Sequence, residues 1–217
     1  MDDYVRDVYL HEVEAQCNFA LNAIKGLNSV LARLSEAVAS GDDQKSRVLH
    51  KEVFRSIHSF LTHTSNISRL LWPAAPRRMA REPRAEYRRR CMGDSRLSRG
   101  GELRNALGLP DHGHVLRSRQ MRDHLEHFDE RLDDWQASSI RHNYMQDCIG
   151  SAGAIAGIDA GDVMRWFDPA TNCFRFRGEE YKLEPSVAAV EDIHQRVVAQ
   201  LRARMLARLR PPASDAV

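Results

Sequence analysis

Between residues 4 and 35, apolar and small side chains recur at alternating intervals of three and four, a spacing that is typical of a long helix. The positions are Leu10, Val13, Cys17, Ala20, Ile24, Leu27, Leu31 and Leu34. This spacing keeps one seam of the helix directed at a partner helix, as in bundles and coiled coils. The first third of the chain therefore predicts a helical bundle.

Further helices follow from the same kind of pattern. A turn at Gly41-Asp42-Asp43, in which either aspartate can cap the next helix, leads into a helix over 44–72 that Pro73 ends. A short helix is predicted over 98–107, a long one over 112–137 and a final one over 185–209. The seam of the third long helix consists of Met121, Leu125, Phe128, Leu132 and Trp135, and the last helix turns Val190, Ile193, Val197, Leu201 and Met205 inward.

After residue 140 the pattern changes from helical to extended. Glycines interrupt the chain, and short apolar runs over 164–167 and 173–176 flank a turn over 168–172, which indicates a β-hairpin. A third short strand is predicted over 181–183. We therefore expect a mainly α fold, one domain over 1–209 that is a helical bundle with a small antiparallel β-hairpin or sheet, at about 160–183, inserted before the C-terminal helix. The tail 210–217 is expected to be disordered.

Composition narrows the class of protein. No stretch of the 217 residues approaches the roughly 18 unbroken apolar residues that span a bilayer. The start of the chain is acidic, unlike a secretion signal. The four cysteines lie far apart without a CxxC pair, which favours reduced thiols and neither a zinc knuckle nor a redox motif. We expect a cytoplasmic protein without membrane contact, cofactor or metal.

Arginine dominates the basic residues, since only four of the 32 are lysine. Ten arginines fall between residues 77 and 104, and we call 73–100 the arginine-rich segment. The simpler interpretation is that this segment is a solvent-exposed loop or short basic helix. Its many arginines would then reflect a codon usage that favours arginine. The alternative is a flap that contacts RNA phosphates through Arg88, Arg89 and Arg90, with Tyr87 available to stack on a base.

The predicted helix over 112–137 also carries a group of residues that could perform chemistry. If Met121 marks the centre of the seam, about 100° per residue places Arg122, Asp123, Glu126 and His127 on the arc away from the core. Histidine can move a proton near neutral pH, and arginine can stabilise charge on a phosphate, so the set suits metal-free RNA cleavage. The alternative is an exposed face with salt bridges at helical spacing.

Residues 122–127 (RDHLEH) resemble the R-x(4–6)-H motif of the HEPN superfamily, with Asp123 as the polar residue after the arginine. Residues 119–124 fit the same expression, but 122–127 is preferred because both of its ends lie outward. The surrounding run 121–135 (MRDHLEHFDERLDDW), with RGGELRNALGLP at 99–110 and RWFDPATN at 165–172, is similar to a group of bacterial HEPN-like proteins.

The resemblance implies a helical bundle that forms a homodimer, with the motif helices meeting in a cleft. Many members are metal-independent endoribonucleases, often toxins or antiviral effectors, and a cognate antitoxin is then a further partner. By position, Arg122 would hold the scissile phosphate, His127 would act as acid or base, and Asp123 would orient them. RNA would contact Glu126, Arg119, Arg88, Arg89, Arg90 and Tyr87.

Two other interpretations remain open. A non-catalytic scaffold or regulator that binds nucleotides or a partner protein is the first, because some superfamily members cut nothing. A metalloenzyme is the second, using His112, His114, His124 and His127 with nearby acids. The histidine spacing does not match the HExxH pattern of zinc peptidases, which counts against the metalloenzyme.

Overall fold

The fold is built on a long antiparallel helical hairpin, α1 (Asp3–Ala39) and α2 (Asp43–Leu71). The structure is a computed structural model, and it describes residues 1–118, 128–151 and 157–209. Both predicted helices are confirmed. The carboxylates of Asp2 and Asp42 cap them by accepting hydrogen bonds from the backbone amides of Val5 and Lys45.

The seam of α1 packs into the core as its spacing predicts. Leu10, Val13, Cys17 and Ala20 are fully buried, whereas Ile24, Leu31 and Leu34 are partly buried at its edge. Burial raises the pKa of the Cys17 thiol to about 12, so this cysteine stays a neutral apolar group.

The C-terminal helix α6 (Leu183–Leu209) lies against α1 and completes the bundle. Val190, Ile193 and Val197 are fully buried, as predicted, but the inward orientation of Met205 is wrong, because its side chain is 57% exposed. Leu201 still packs partly buried against the core, whereas Met205, Leu206 and Leu209 at the end of the helix are exposed.

An ionic cluster fastens the end of α6 to the start of α1. Arg204 donates to the side chains of Asp3 and Asp7, and Arg208 pairs with Asp7. Burial alone would raise the pKa of Asp7, but the hydrogen bond and charge of Arg204 hold that pKa below its ordinary value. The two helices are therefore joined by paired charges where their apolar contact ends.

Two short helices, α3 (Arg84–Met92) and α4 (Ser95–Leu107), follow the hairpin. Asp94 caps α4, and Gly108 ends it with the left-handed φ of 63° that favours glycine. Gly100 lies against the end of α2, where a Cβ atom would come within 2.5 Å of Pro73 Cδ. This close approach seats α4 on the bundle.

The helix predicted over 112–137 is wrong in its first turns. Residues 115–117 form a short 3₁₀ helix, capped by the His114 ring, and the next described helix is α5 (Phe128–Ser138). Pro110 lacks an amide donor and Gly113 adopts a φ of 77°, and both features oppose an α-helix. Within α5, Phe128, Leu132 and Trp135 pack partly buried against the core.

The small sheet has four strands in the order β1-β2-β3-β4: Met145–Ile149, Val163–Asp168, Cys173–Phe176 and Glu179–Lys182. The predicted hairpin is confirmed by the antiparallel pairing of β2 with β3, in which Phe167 lies opposite Phe174. A purely antiparallel sheet is wrong, because β1 pairs parallel to β2 and makes the sheet mixed.

One face of the sheet joins the main core. Met164, Phe167, Phe174 and Phe176 pack with the helices, while Trp166, Cys148 and Val163 form a separate small cluster. Arg177, in the turn after β3, donates to the carbonyl oxygen of Arg131 at 2.8 Å. This hydrogen bond connects the turn after β3 to α5. None of the described helices is long and apolar enough to cross a bilayer.

Candidate functional site

The motif itself falls on residues that the structure does not describe. Arg119, Arg122, Asp123, His124, Glu126 and His127 lie outside the described residues, as do residues 210–217. The flanking residues Ser118 and Phe128 are described, so the surroundings of the two ends can be stated.

At the first end, Ser118 lines a cavity of about 280 Å³ between α2, the 3₁₀ helix and the start of α6. Its polar lining consists of hydroxyl groups with one lysine and one acid: Thr64, Ser65, Ser68, Ser118, Ser186, Lys182 and Glu180. The buried hydroxyl of Thr64 has no hydrogen-bond partner among the described residues. The serine, lysine and glutamate side chains that line this cavity suit a polar occupant.

At the second end, Phe128 lines a cavity of about 260 Å³ with His58, Arg165 and three aromatic side chains. Arg165, on β2, forms an ion pair with Asp147 at 2.6 Å, and its guanidinium carbon lies 5.9 Å from the centre of the Phe128 ring. Burial and the charge of Arg165 lower the pKa of His58, so its neutral form is favoured.

Leu61 lines both cavities, which places the two ends of the motif segment on the same side of α2. Sequence reasoning missed His58 and Arg165 as neighbours of this segment. They come from a helix and a strand more than 100 residues apart. No local spacing could have joined them.

The arginine-rich segment is organised around one buried acid, Glu82. Its carboxylate accepts hydrogen bonds from Arg90 Nε at 3.0 Å, Arg90 Nη2 at 2.8 Å and the amide of Met79 at 3.0 Å, and Arg78 donates to its carbonyl oxygen. The hydrogen bond from Arg90 is the main reason why the pKa of Glu82 is lowered. The buried Glu82 carboxylate therefore holds the arginine-rich segment in a defined conformation.

The predicted RNA contacts on this segment divide into two groups. Arg90 also donates to the carbonyl of Arg77, and its guanidinium lies 5.5 Å from the ring centre of Tyr87, so both residues have roles inside the segment. Arg88 and Arg89 are exposed on α3, and neither side chain has an ionic partner in the described chain. Arg84, one turn before Arg88, is equally exposed.

Two arginines of α4 contact the helical hairpin. Arg99 donates to the carbonyl of Arg69 and lies 5.1 Å from the ring centre of Tyr9. Arg104 donates to the carbonyl of Leu71 and to Asp111. The sequence alone did not distinguish such internal arginines from the free ones on α3.

Of the proposed metal-binding histidines, only His112 and His114 are described. His114 stacks on Trp72 with ring centres 4.5 Å apart, and its Nδ1 accepts a hydrogen bond from the amide of Leu116 at 3.2 Å. Burial is the main cause that lowers its pKa. Within the described ranges no group of three metal-ligating side chains is present.

We expect the protein to lose stability as the pH falls from about 7.5 to about 5.5, because His63 and His114 are partly buried as neutral rings. Their pKa values are lowered in the fold, so near pH 6.5 the unfolded chain binds more protons than the folded one. The neutral rings therefore contribute their full stability above the pKa that histidine has in the unfolded chain. This contribution is lost as the pH falls through the lowered pKa of the folded protein.

Urea unfolding at the two pH values measures this effect, and a lower midpoint is expected at the acidic value. The double variant His63→Gln, His114→Asn should show a smaller difference, since asparagine can still cap the 3₁₀ turn. An equal midpoint at both pH values in the wild type would contradict the assignment of neutral rings.

No family model, no curated protein and no solved structure matches the chain. The likeness to the HEPN superfamily therefore rests on the residues of the motif and its flanking runs.

Proposed function

We propose that this chain is a metal-independent HEPN-like endoribonuclease that acts as a toxin or defence effector. Arg122 holds the scissile phosphate, His127 transfers the proton, and Asp123 orients the two side chains. The proposal is carried by the R-x(4)-H spacing of residues 122–127 within a helical bundle. Histidine chemistry of this kind requires no metal ion.

The surroundings of the motif segment support the proposal. Its two described ends share one side of α2, next to Arg165 and two cavities with polar side chains. The exposed arginines of α3 provide an electrostatic surface for the remainder of the strand.

The assembly belongs to the same proposal. Arg122 and His127 are about 140° apart on an ideal helix, so one helix supplies half of a cleft. A second copy related by a two-fold axis would complete it, which makes a homodimer through the motif helix the proposed working form. A cognate antitoxin and a cytoplasmic location follow from the same resemblance.

A second candidate function is a scaffold or regulator that binds nucleotides or proteins and cuts nothing. The hydroxyl-lined cavity at Ser118 favours it, since a small polar ligand could bind to the serine hydroxyls there. If the protein binds a nucleotide but does not cleave RNA, the scaffold or regulator function is supported over the ribonuclease.

Cleavage of RNA in the presence of EDTA tests the leading proposal. Because His127 supplies the proton chemistry, the rate should survive chelation and depend on a group that titrates near neutral pH. The rate constant is measured in a single turnover on total RNA or tRNA, with and without EDTA. Loss of activity on chelation, restored by zinc or manganese, would instead support the metalloenzyme.

A further inference from the structure

A third cavity lies between the 3₁₀ helix, the end of α2 and α4. It has a volume of about 350 Å³, and we call it the Arg117 cavity. Pro73, Ala75 and Leu97 form an apolar wall, and Arg104, Asp111, His112 and Arg117 form the polar wall. No role in the proposed chemistry has been given to it so far.

The charges of the polar wall do not cancel. Arg104 donates through Nε and Nη2 to Asp111 Oδ1, at 2.8 and 2.6 Å, so this pair is neutral. Arg104 is held rigidly, because its side chain is only 14% exposed and also binds the carbonyl oxygen of Leu71. Arg117 and His112 are exposed, and neither side chain has a hydrogen bond or ion pair in the described part of the chain.

The Arg117 cavity lies next to the arginine-rich segment and, along the chain, shortly before the motif. Its apolar wall includes Pro73 and Ala75, which begin the arginine-rich segment. Arg117 precedes Arg122 by five residues, a separation that an extended chain covers in about 18 Å.

We propose that the Arg117 cavity binds one nucleotide of the substrate RNA outside the cleavage site. The phosphate lies on the guanidinium of Arg117, with His112 as a second donor, and the sugar and base lie against Pro73, Ala75 and Leu97. Arginine suits this task because its planar fork binds two phosphate oxygens at once. The inference rests on the proposed ribonuclease function, since it assigns a subsite to the same substrate.

Equilibrium binding of a single-stranded RNA tests the inference. A fluorescein-labelled strand of about 12 nucleotides is titrated with protein at several salt concentrations, in a His127→Ala background that keeps the strand intact. Arg117→Gln should raise Kd by about three- to tenfold and reduce the slope of log Kd against log salt by about 0.7 to 1. Arg117→Lys should retain the salt slope, because it keeps the charge.

The matched control is Arg33→Gln. Arg33 is an exposed arginine near the end of α1, at the opposite end of the antiparallel hairpin from the Arg117 cavity. Arg33→Gln removes one positive charge, as Arg117→Gln does, but far from the Arg117 cavity. Its Kd should therefore stay near that of the His127→Ala background. Melting temperatures of all variants are compared to exclude an effect on folding, since the charge of Arg117 also helps to lower the pKa of Asp111.

A double variant Arg88→Gln, Arg89→Gln separates failure of the subsite from failure of the function. Weaker binding in both this variant and Arg117→Gln supports the Arg117 cavity. Weaker binding in the double variant, with Arg117→Gln equal to the Arg33→Gln control, overturns the subsite and leaves the ribonuclease proposal standing. A background protein that binds no RNA at low salt overturns both.

Discussion

Replacing His127 or Arg122 by alanine is expected to slow RNA cleavage by about a hundredfold to ten-thousandfold. Helical spacing predicts that both side chains lie away from the apolar seam, so the free energy of unfolding should change by no more than about 0.5 kcal/mol. Single-turnover cleavage and melting curves on the same preparations measure the two effects. A large loss of rate at nearly constant stability is the signature of a residue that touches the substrate.

His124→Ala is the matched control on the same predicted helix. Helical spacing predicts that His124 lies nearer to the packed side, so its loss should lower stability more than the cleavage rate. If His127→Ala cuts RNA as fast as the wild type, the catalytic assignment is wrong and the scaffold function replaces it.

Gly100→Ala is expected to lower the free energy of unfolding by about 1–3 kcal/mol, although alanine is the better helix former. The added Cβ would lie 2.5 Å from Pro73 Cδ and 2.9 Å from the carbonyl oxygen of Leu71. These atoms belong to the chain just beyond α2 and to its last turn, which cannot move aside as a flexible side chain can. Chemical denaturation followed by circular dichroism measures the loss.

The neighbouring glycine provides a control of opposite sign. A Cβ at Gly101 would approach only the Arg104 Nη2 atom, at 3.8 Å. Gly101→Ala should therefore raise stability by up to about 1 kcal/mol through helix propensity. If Gly100→Ala also raises stability, α4 does not press against Pro73 as described.

The long helices could be predicted because their signals are local. The seam that begins at Leu10 and the cap at Asp42 are properties of a few neighbouring residues, and both are found in the structure. The same holds for the hairpin of β2 and β3, whose apolar runs flank a short turn. Local patterns determine such elements without information about their partners.

Strand β1 could not be predicted in this way. It has one buried residue, Cys148, and its partner β2 begins 14 residues after β1 ends. Parallel pairing requires a crossover connection, which leaves no short-range turn signal. The start of the predicted helix at 112 failed for a different reason, because the breakers Pro110 and Gly113 were outweighed by the apolar seam that follows.

The residue types of the candidate site could be predicted from the sequence, but the side chains that surround and pair with them could not. The sequence shows ten arginines near α3 and α4, yet only the structure separates Arg88 and Arg89 from Arg90, which Glu82 binds. In the sequence, Glu82 is an acidic residue among many arginines, and nothing there marks it as buried. Its burial depends on how residues 77–92 fold around it, and that is a tertiary effect.

The ionic cluster between α1 and α6 has a consequence for how the chain reaches its fold. The α1–α2 hairpin closes across a short turn, but Asp7 meets Arg204 only after a further 197 residues have been added. During synthesis, the side of α1 that α6 covers must stay exposed until nearly the whole chain has emerged, since N-terminal elements appear first. Closing so large a loop slows the final docking step. Over that interval the early hairpin offers an uncovered apolar stripe, on which chaperones or a second nascent copy could act before the bundle is complete.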